Sequence, residues 1–282
     1  MVKVLTPIDL NEALENRSEL KTLVYNGGTD LMVKYRSWSS TDPKFPNDLL
    51  YIGDLKELQT IEIFEDKLVI GAGVKLADII QDVKIPEYIK RPLRQMGSPA
   101  VRNLGTLGGN ICNASPAGDS LPMLYALDAT VTLASSHGSR LMKVSDFIHG
   151  PGKTELASDE ILTYITIPLV DFNRFTYSKV GSRKANAISK LSFYGAVVLE
   201  EKRIKQVRIA FGAVGPTVIR CEAAEHLLEG ADVTEIPELD EAFISHYEKL
   251  VVPIDDVRST RDYRKTTAMQ LLDEFIKKEL IK

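Results

Sequence analysis

Residues 97–129 read GSPAVRNLGTLGGNICNASPAGDSLPMLYALDA, and residues 26–31 read NGGTDL. The segment from Met96 to Pro122 is rich in glycine, asparagine and proline and poor in charge. It is expected to be largely irregular backbone, and an irregular segment of that length inside a compact domain usually binds something. Gly105, Gly108 and Gly109 would let a ligand approach the backbone closely, and Ser98, Thr106 and Asn110 offer uncharged donors. In the shorter stretch, adjacent Gly27 and Gly28 let successive N–H groups point into one concavity that suits phosphate oxygens. The helix expected after them adds its positive end, and Thr29 adds a hydroxyl. Two such bends facing each other would surround a diphosphate without any lysine. Each also has a plainer reading, a capped tight turn at 26–30 and a buried, self-bonded loop at 97–110.

Outward from these bends the chain divides by punctuation. Thr6 and Pro7 read as N-cap and first residue of a helix with Leu10, Ala13 and Leu14 on one face. A strand at 23–25, the glycine bend and a helix at 30–35 follow, then a polar stretch at 37–48 interrupted by Pro43 and Pro46. A boundary is expected near Gly53. Beyond it, strands at 60–64 and 67–70 flank Glu65-Asp66 as a hairpin, a helix carries Leu76, Ile79 and Ile80, and further strands fall at 129–134 and 161–167. The last third shows strands at 175–180, 191–200 and 204–212, then helices around 221–228, 238–250 and 263–278. Consecutive strands followed by helices indicate an α+β arrangement rather than a doubly wound sheet. The expected domains are 1–53, 54–170 and 171–282.

The chain's 282 residues suit two or three packed units. Its 35 basic and 39 acidic residues, without like-charge runs, give no reason to expect a nucleic acid or an anionic membrane as partner. No apolar run approaches the roughly 20 residues that span a bilayer, and the N-terminus lacks a secretory pattern, so a soluble, cytoplasmic protein is expected. Cys112 and Cys221 are the only cysteines, and neither has metal-site spacing, so no protein-held metal is expected.

Gly71-Ala72-Gly73 after a strand resembles a dinucleotide fingerprint, but Leu76 stands where the third glycine is required, which favours a structural turn. Asp119 has two readings, an N-cap for the helix at 121–127 or an acceptor for ligand hydroxyls or ring nitrogens. His137, His149, His226 and His246 are scattered, and no nucleophile and base come together by spacing, so no catalytic residue is assigned.

GGTDL at 27–31, the 97–129 stretch with its RNxGTxGGN-x(4)-SPxGD block, and the C-terminal FGAVGPTVIRCEAAEHLLEG and DDVRSTRDYRKTTAMQLL resemble the FAD-binding subunit of molybdenum hydroxylases, the family of xanthine, nicotinate and carbon monoxide dehydrogenases. The resemblance covers nearly the whole chain. It implies a two-subdomain FAD-binding domain of the vanillyl-alcohol oxidase and p-cresol methylhydroxylase type. A C-terminal α+β domain of the carbon monoxide dehydrogenase flavoprotein type, with a three-stranded antiparallel sheet, would follow. It implies that both glycine bends wrap the FAD diphosphate. Leu23, Val24, Tyr25, Asn26, Gly27, Gly28, Thr29, Asp30 and Leu31 would line the cofactor from the first. Gly97, Val101, Gly105, Thr106, Gly108, Gly109 and Asn110 would line it from the second. Asp119 matches a family acid that contacts FAD, and Leu162 and Lys179 match residues near the flavin's other portion. Cys112 is expected to pack.

This sequence departs from the family at Asn26, where alanine is usual, and at Arg183-Lys184-Ala185-Asn186-Ala187-Ile188-Ser189. There, relatives that reduce NAD often read Arg-Arg-x-Asp-Asp-Ile-Ala. The implied function is electron transfer: FAD takes electrons from a small subunit with two 2Fe-2S clusters and passes them to an acceptor such as NAD, while a large molybdopterin subunit hydroxylates the substrate. A self-contained flavin oxidase of the same fold and a non-catalytic nucleotide-binding protein are the alternatives. The resemblance leaves open the substrate, whether NAD, ferredoxin or a quinone is the acceptor, and the oligomeric state.

Overall fold

The computed structural model describes residues 2–37 and 42–281. Residues 38–41 of the proline-interrupted stretch lie outside the described residues. The chain forms two compact units, one of Met1–Ile85, Gly97–Ala114 and Ala129–Pro168, the other of Pro86–Met96, Ser115–Asp128 and Leu169–Lys282.

The first unit opens on a parallel sheet in the order β1 (Val4–Leu5), β3 (Asp48–Tyr51), β2 (Thr22–Tyr25). The helix Leu10–Glu19 is the crossover between β1 and β2, as parallel strands require. Its cap is Asp9, not Thr6. The Asp9 carboxylate accepts the N–H of Glu12 at 2.8 Å while the Glu12 carboxylate accepts the N–H of Ile8 at 2.7 Å. This reciprocal pair satisfies two N–H groups at once, which a threonine three residues earlier cannot do. Ala13 and Leu14 bury against Leu50, Ile52, Leu55 and Leu58.

An antiparallel sheet follows in the order β4 (Ile61–Phe64), β5 (Lys67–Gly71), β10 (Ile161–Pro168), β6 (Thr130–Ser135), β7 (Gly138–Lys143). Glu65 turns the first hairpin at φ 53°. Gly71-Ala72-Gly73 is a structural turn. The N–H groups of Gly71 and Gly73 bond the carbonyls of Thr60 and Leu58, each at 2.8 Å, and a Cβ on Gly71 would lie 2.3 Å from the Leu58 carbonyl oxygen. Two short strands, β8 (Ile148–Gly150) and β9 (Lys153–Thr154), pair apart from this sheet.

The 96–122 segment is about half irregular and half short helix. It contains short helices at Pro99–Arg102 and Leu107–Asn113, and a third begins at Leu121. Ser98 and Thr106 cap the first two, accepting the N–H groups of Val101 and Gly109. The hydroxyls expected to donate to a ligand thus also act as helix caps, the role these residue types favour.

The second unit is built on β11 (Arg174–Val180), β12 (Leu191–Glu200) and β13 (Arg203–Gly212), with the two-residue β14 (Ile219–Arg220) added at the edge. The helices Glu222–Leu228, Ile236–Leu250 and Arg261–Phe275 supply Leu228, Phe243, Tyr247, Leu272 and Phe275 to a core with Phe193 and Phe211. Phe193 meets Phe211 edge-on at 5.0 Å and Phe275 at 5.6 Å. Such ring pairs add about 0.5–1.5 kcal/mol beyond their burial. Among the described residues no helix is long and apolar enough to cross a membrane.

Candidate functional site

The two glycine bends meet within the first unit. The 26–30 bend joins β2 to the helix Leu31–Lys34, because Gly28 takes φ 65° and turns the chain off the sheet edge. The 103–106 bend joins the two short helices and bridges Lys75 through Thr106. A Cβ on Gly27 would lie 1.8 Å from the carbonyl oxygen of Leu104, and one on Gly105 would lie 3.3 Å from the Thr29 hydroxyl oxygen. Backbone is therefore against backbone across the pair.

Among the described residues the N–H groups of Gly27, Gly28 and Thr29 find no acceptor. A row of unengaged amides on a partly exposed bend fits an anion such as a diphosphate, the group expected here. Gly108 has a different requirement: a Cβ there would come within 2.9 Å of the Ala72 carbonyl oxygen, so the residue lets a helix pack on the β5 turn. Gly109 is exposed, and its added Cβ would meet only the Thr106 hydroxyl, at 3.0 Å. Gly97 turns the chain at φ 51° before the first short helix, and Val101 lies on that helix with its side chain 36% exposed. Asn110 lies on the helix Leu107–Asn113. On β2, Leu23 and Val24 pair in register with Leu49 and Leu50, Val24 packs on the apolar core, and the Tyr25 ring lies 5.1 Å from that of Tyr51. Asp30 and Leu31 begin the helix after the bend. Leu162 is buried on β10 opposite Leu133.

Asp119 and Lys179 lie in the second unit, and they are bound to each other. Lys179 Nζ donates to Asp119 Oδ2 at 2.6 Å and to the carbonyl of Gln95 at 3.0 Å. Ser189 donates to Asp119 Oδ1 at 2.6 Å, and the Tyr177 hydroxyl approaches the same oxygen at 3.4 Å. Asp119 is therefore not an N-cap. Ser120 occupies that position, while the carboxylate turns inward to a buried ammonium. Burial raises the Asp119 carboxyl above the usual carboxylate range, and Lys179, Ser189 and Tyr177 draw it back. Tyr177 and Ser189 were not anticipated. Tyr177 was within reach of sequence reasoning, because it precedes Lys179 by two residues on a strand and so shares its face.

Cys112 lies in the helix Leu107–Asn113, and burial pushes its thiol up to about 12, which leaves it inert at neutral pH. Among the described residues no three histidine, cysteine or acidic side chains converge to hold a metal.

One unit combines a parallel and an antiparallel sheet, and the other packs helices on a single antiparallel sheet. Residues 1–170 match the family described as the FAD binding domain in molybdopterin dehydrogenase, and residues 176–278 match the CO dehydrogenase flavoprotein C-terminal domain. The nicotinate dehydrogenase FAD-subunit of Eubacterium barkeri is 32% identical over 240 residues, covering 81% of this chain and 79% of that protein. The glyceraldehyde dehydrogenase medium chain of Sulfolobus acidocaldarius is also 32% identical, covering 78% of each chain. Quinoline 2-oxidoreductase from Pseudomonas putida 86 shares the fold with a TM-score of 0.87 at 23% identity, over 100% of this chain and 99% of that one. The chain belongs to the FAD-binding subunits of the molybdopterin dehydrogenase family, and is accordingly an oxidoreductase flavoprotein whose cofactor is FAD.

Proposed function

We propose that this chain is the electron-transfer subunit of a multi-subunit molybdenum hydroxylase. In this reading electrons come from the 2Fe-2S clusters of a small partner subunit, a large molybdopterin subunit carries out substrate hydroxylation, and the electrons leave to an acceptor, of which NAD is one candidate. FAD supplies a centre able to exchange electrons singly or in pairs, and the protein supplies position and electrostatics.

The observation that carries the reading is the pair of facing bends, with the unengaged amides of Gly27, Gly28 and Thr29 at their meeting point. These amides would hold the diphosphate, and Gly109 would keep the approach open. Thr106 would hold the second bend in shape by capping Gly109. The Asp119 oxygens are already engaged, so Asp119 would serve by orienting Lys179. The ammonium has three N–H groups, of which two are used by Asp119 and Gln95.

Purification of this chain with its neighbours, followed by measurement of flavin, iron and molybdenum per complex, tests the assignment. The expected outcome is one flavin per copy of this chain, with iron and molybdenum confined to the other polypeptides. A chain that purifies alone and oxidises an organic substrate with oxygen would favour the self-contained oxidase instead.

A further inference from the structure

Two stretches distant in sequence, 181–190 and 255–265, meet within the second unit. Arg264 Nη1 donates to the carbonyl of Lys190 at 2.7 Å, and Lys190 Nζ lies 5.1 Å from the centre of the Tyr263 ring. The two stretches carry seven cations against three acids, in a chain whose net charge is -4. The remainder of the chain is therefore acidic, and this face stands out against it. The 181–190 turn contains Arg183, Lys184 and Lys190 and no acid.

Three acids against seven cations leave four positive charges over, and two of the acids are paired within their own stretch. Asp256 pairs with Arg258 and Arg264, and Asp255 pairs with Arg261. Lys184 and Lys265 are exposed and meet no carboxylate among the described residues. Arg183 donates to the carbonyls of Ala185 and Asn186 in its own turn, so its charge stays unopposed. Arg264 is buried and held by Asp256 and by the carbonyls of Lys190 and Ala213, a structural role. Lys265 has no such partner and lies near the start of the helix Arg261–Phe275, towards the positive end of its dipole, where a cation gains no stability. Exposed apolar side chains lie among the charges: Ile188 is 57% exposed, Tyr263 46%, and Val257 fully.

Cations dispersed over a turn and a helix end, with apolar side chains between them, suit a protein surface of opposite charge. A small anion would need donors converging on one point, and the Arg183 guanidinium is turned into its own turn instead. We infer that this face docks a small acidic electron-carrier protein of the ferredoxin class. The acidic surface follows from charge complementarity, and the electron-carrier part rests on the flavoprotein reading above.

The test titrates the full-length, FAD-loaded chain with an acidic 2Fe-2S ferredoxin by calorimetry, alongside the variant Lys184→Glu/Lys265→Glu. Both positions are exposed and far from the glycine bends in sequence, so folding and flavin content should be unchanged. Wild type should bind, and the variant should bind about tenfold or more weakly. Raising ionic strength from about 0.01 M to about 0.15 M shortens the screening length from about 30 Å to about 8 Å and should weaken the wild-type complex. Absence of wild-type binding, equal binding by the variant, or indifference to salt would overturn the inference. So would sedimentation with phosphatidylserine vesicles, or salt-sensitive self-association, in a chain that ignores the ferredoxin. Flavin absorbance of the same samples reports separately on the cofactor: ferredoxin binding by a chain that cannot hold flavin would refute the flavoprotein reading and leave the acidic docking face standing.

Discussion

The carbonyl oxygen of Leu104 stands 1.8 Å from the point where a β-carbon on Gly27 would sit. The first bend therefore reaches its position only because residue 27 has no side chain. Gly27→Ala should force the bends apart, since the obstacle is backbone and has no rotamer to give. The expected cost is about 1–3 kcal/mol in stability together with loss of FAD retention. Denaturant unfolding and flavin fluorescence on the same protein check both effects.

Gly109 should behave differently. Its added Cβ meets only the capping hydroxyl of Thr106, and its surroundings are exposed. Gly109→Leu should leave the apo protein as stable as wild type, because leucine has the better helix propensity and nothing else is displaced. FAD affinity should fall at least about tenfold, or about 1.4 kcal/mol. A variant with wild-type affinity would place the diphosphate away from this residue.

The contrast between these two glycines marks how far the sequence could be read. Clustered glycines announced two bends, and alternation announced the long strands of both units, because side-chain period and turn chemistry are local properties. The partner of Gly27 was not legible, since a carbonyl oxygen carries no sequence signal. Nor were β1 and β3 anticipated: two-residue and four-residue parallel strands gain their stability from the helix crossing over them rather than from their own pattern. Asp119 misled for the same reason. Its place before a helix suggests a cap, but a lysine sixty residues away in the chain decides which way the carboxylate points.

The Asp119 and Lys179 pair should respond unequally to truncation. Asp119→Ala leaves an ammonium that is only 5% exposed without its carboxylate, which should cost about 3–5 kcal/mol. Lys179→Met leaves a carboxyl that can take up a proton, so its cost should be smaller near pH 5. Without Lys179 the folded carboxyl rises further above its unfolded value. The folded state then binds more protons, and stability of this variant should fall as pH rises from about 5 to about 8, relative to wild type. Chemical denaturation across that range measures it, and a flat difference would mean that Asp119 remains ionised without its partner.

Asp256 gives the opposite sign. Burial opposes its ionisation, but the N–H of Arg258, the Arg264 guanidinium and the N–H of Ser259 outweigh that and bring its carboxyl down to about 2. The stabilisation is complete above the unfolded value of about 3.9 and is lost as pH falls through about 2. The stability gap between wild type and Asp256→Asn should therefore be constant from about pH 7 to about pH 5 and narrow below about pH 4. A gap that stays constant down to about pH 2 would show that the carboxylate charge contributes nothing.

Glu225 tests whether a buried charge network in the second unit is a source of stability or a constraint. Its side chain is 1% exposed and accepts the N–H of Ile209 at 2.8 Å and the guanidinium of Arg220 at 3.0 Å. Burial raises its carboxyl, while Arg220, the Ile209 N–H and Arg208 lower it. Arg220 also donates to the Tyr125 carbonyl and pairs with Asp128 at 3.0 Å. Glu225→Gln keeps an acceptor for Ile209 but leaves Arg220 with the partly exposed Asp128 and, at 3.9 Å, the exposed Glu222, and should cost about 3 kcal/mol. Arg220→Met leaves buried Glu225 with only the more distant Arg208, at 3.7 Å, and should cost a similar amount. The double variant Arg220→Met/Glu225→Gln should cost clearly less than the two combined, because removing both charges removes the burial penalty as well as the attraction. Additive losses in that double-mutant cycle would mean that the two side chains act independently despite their contact.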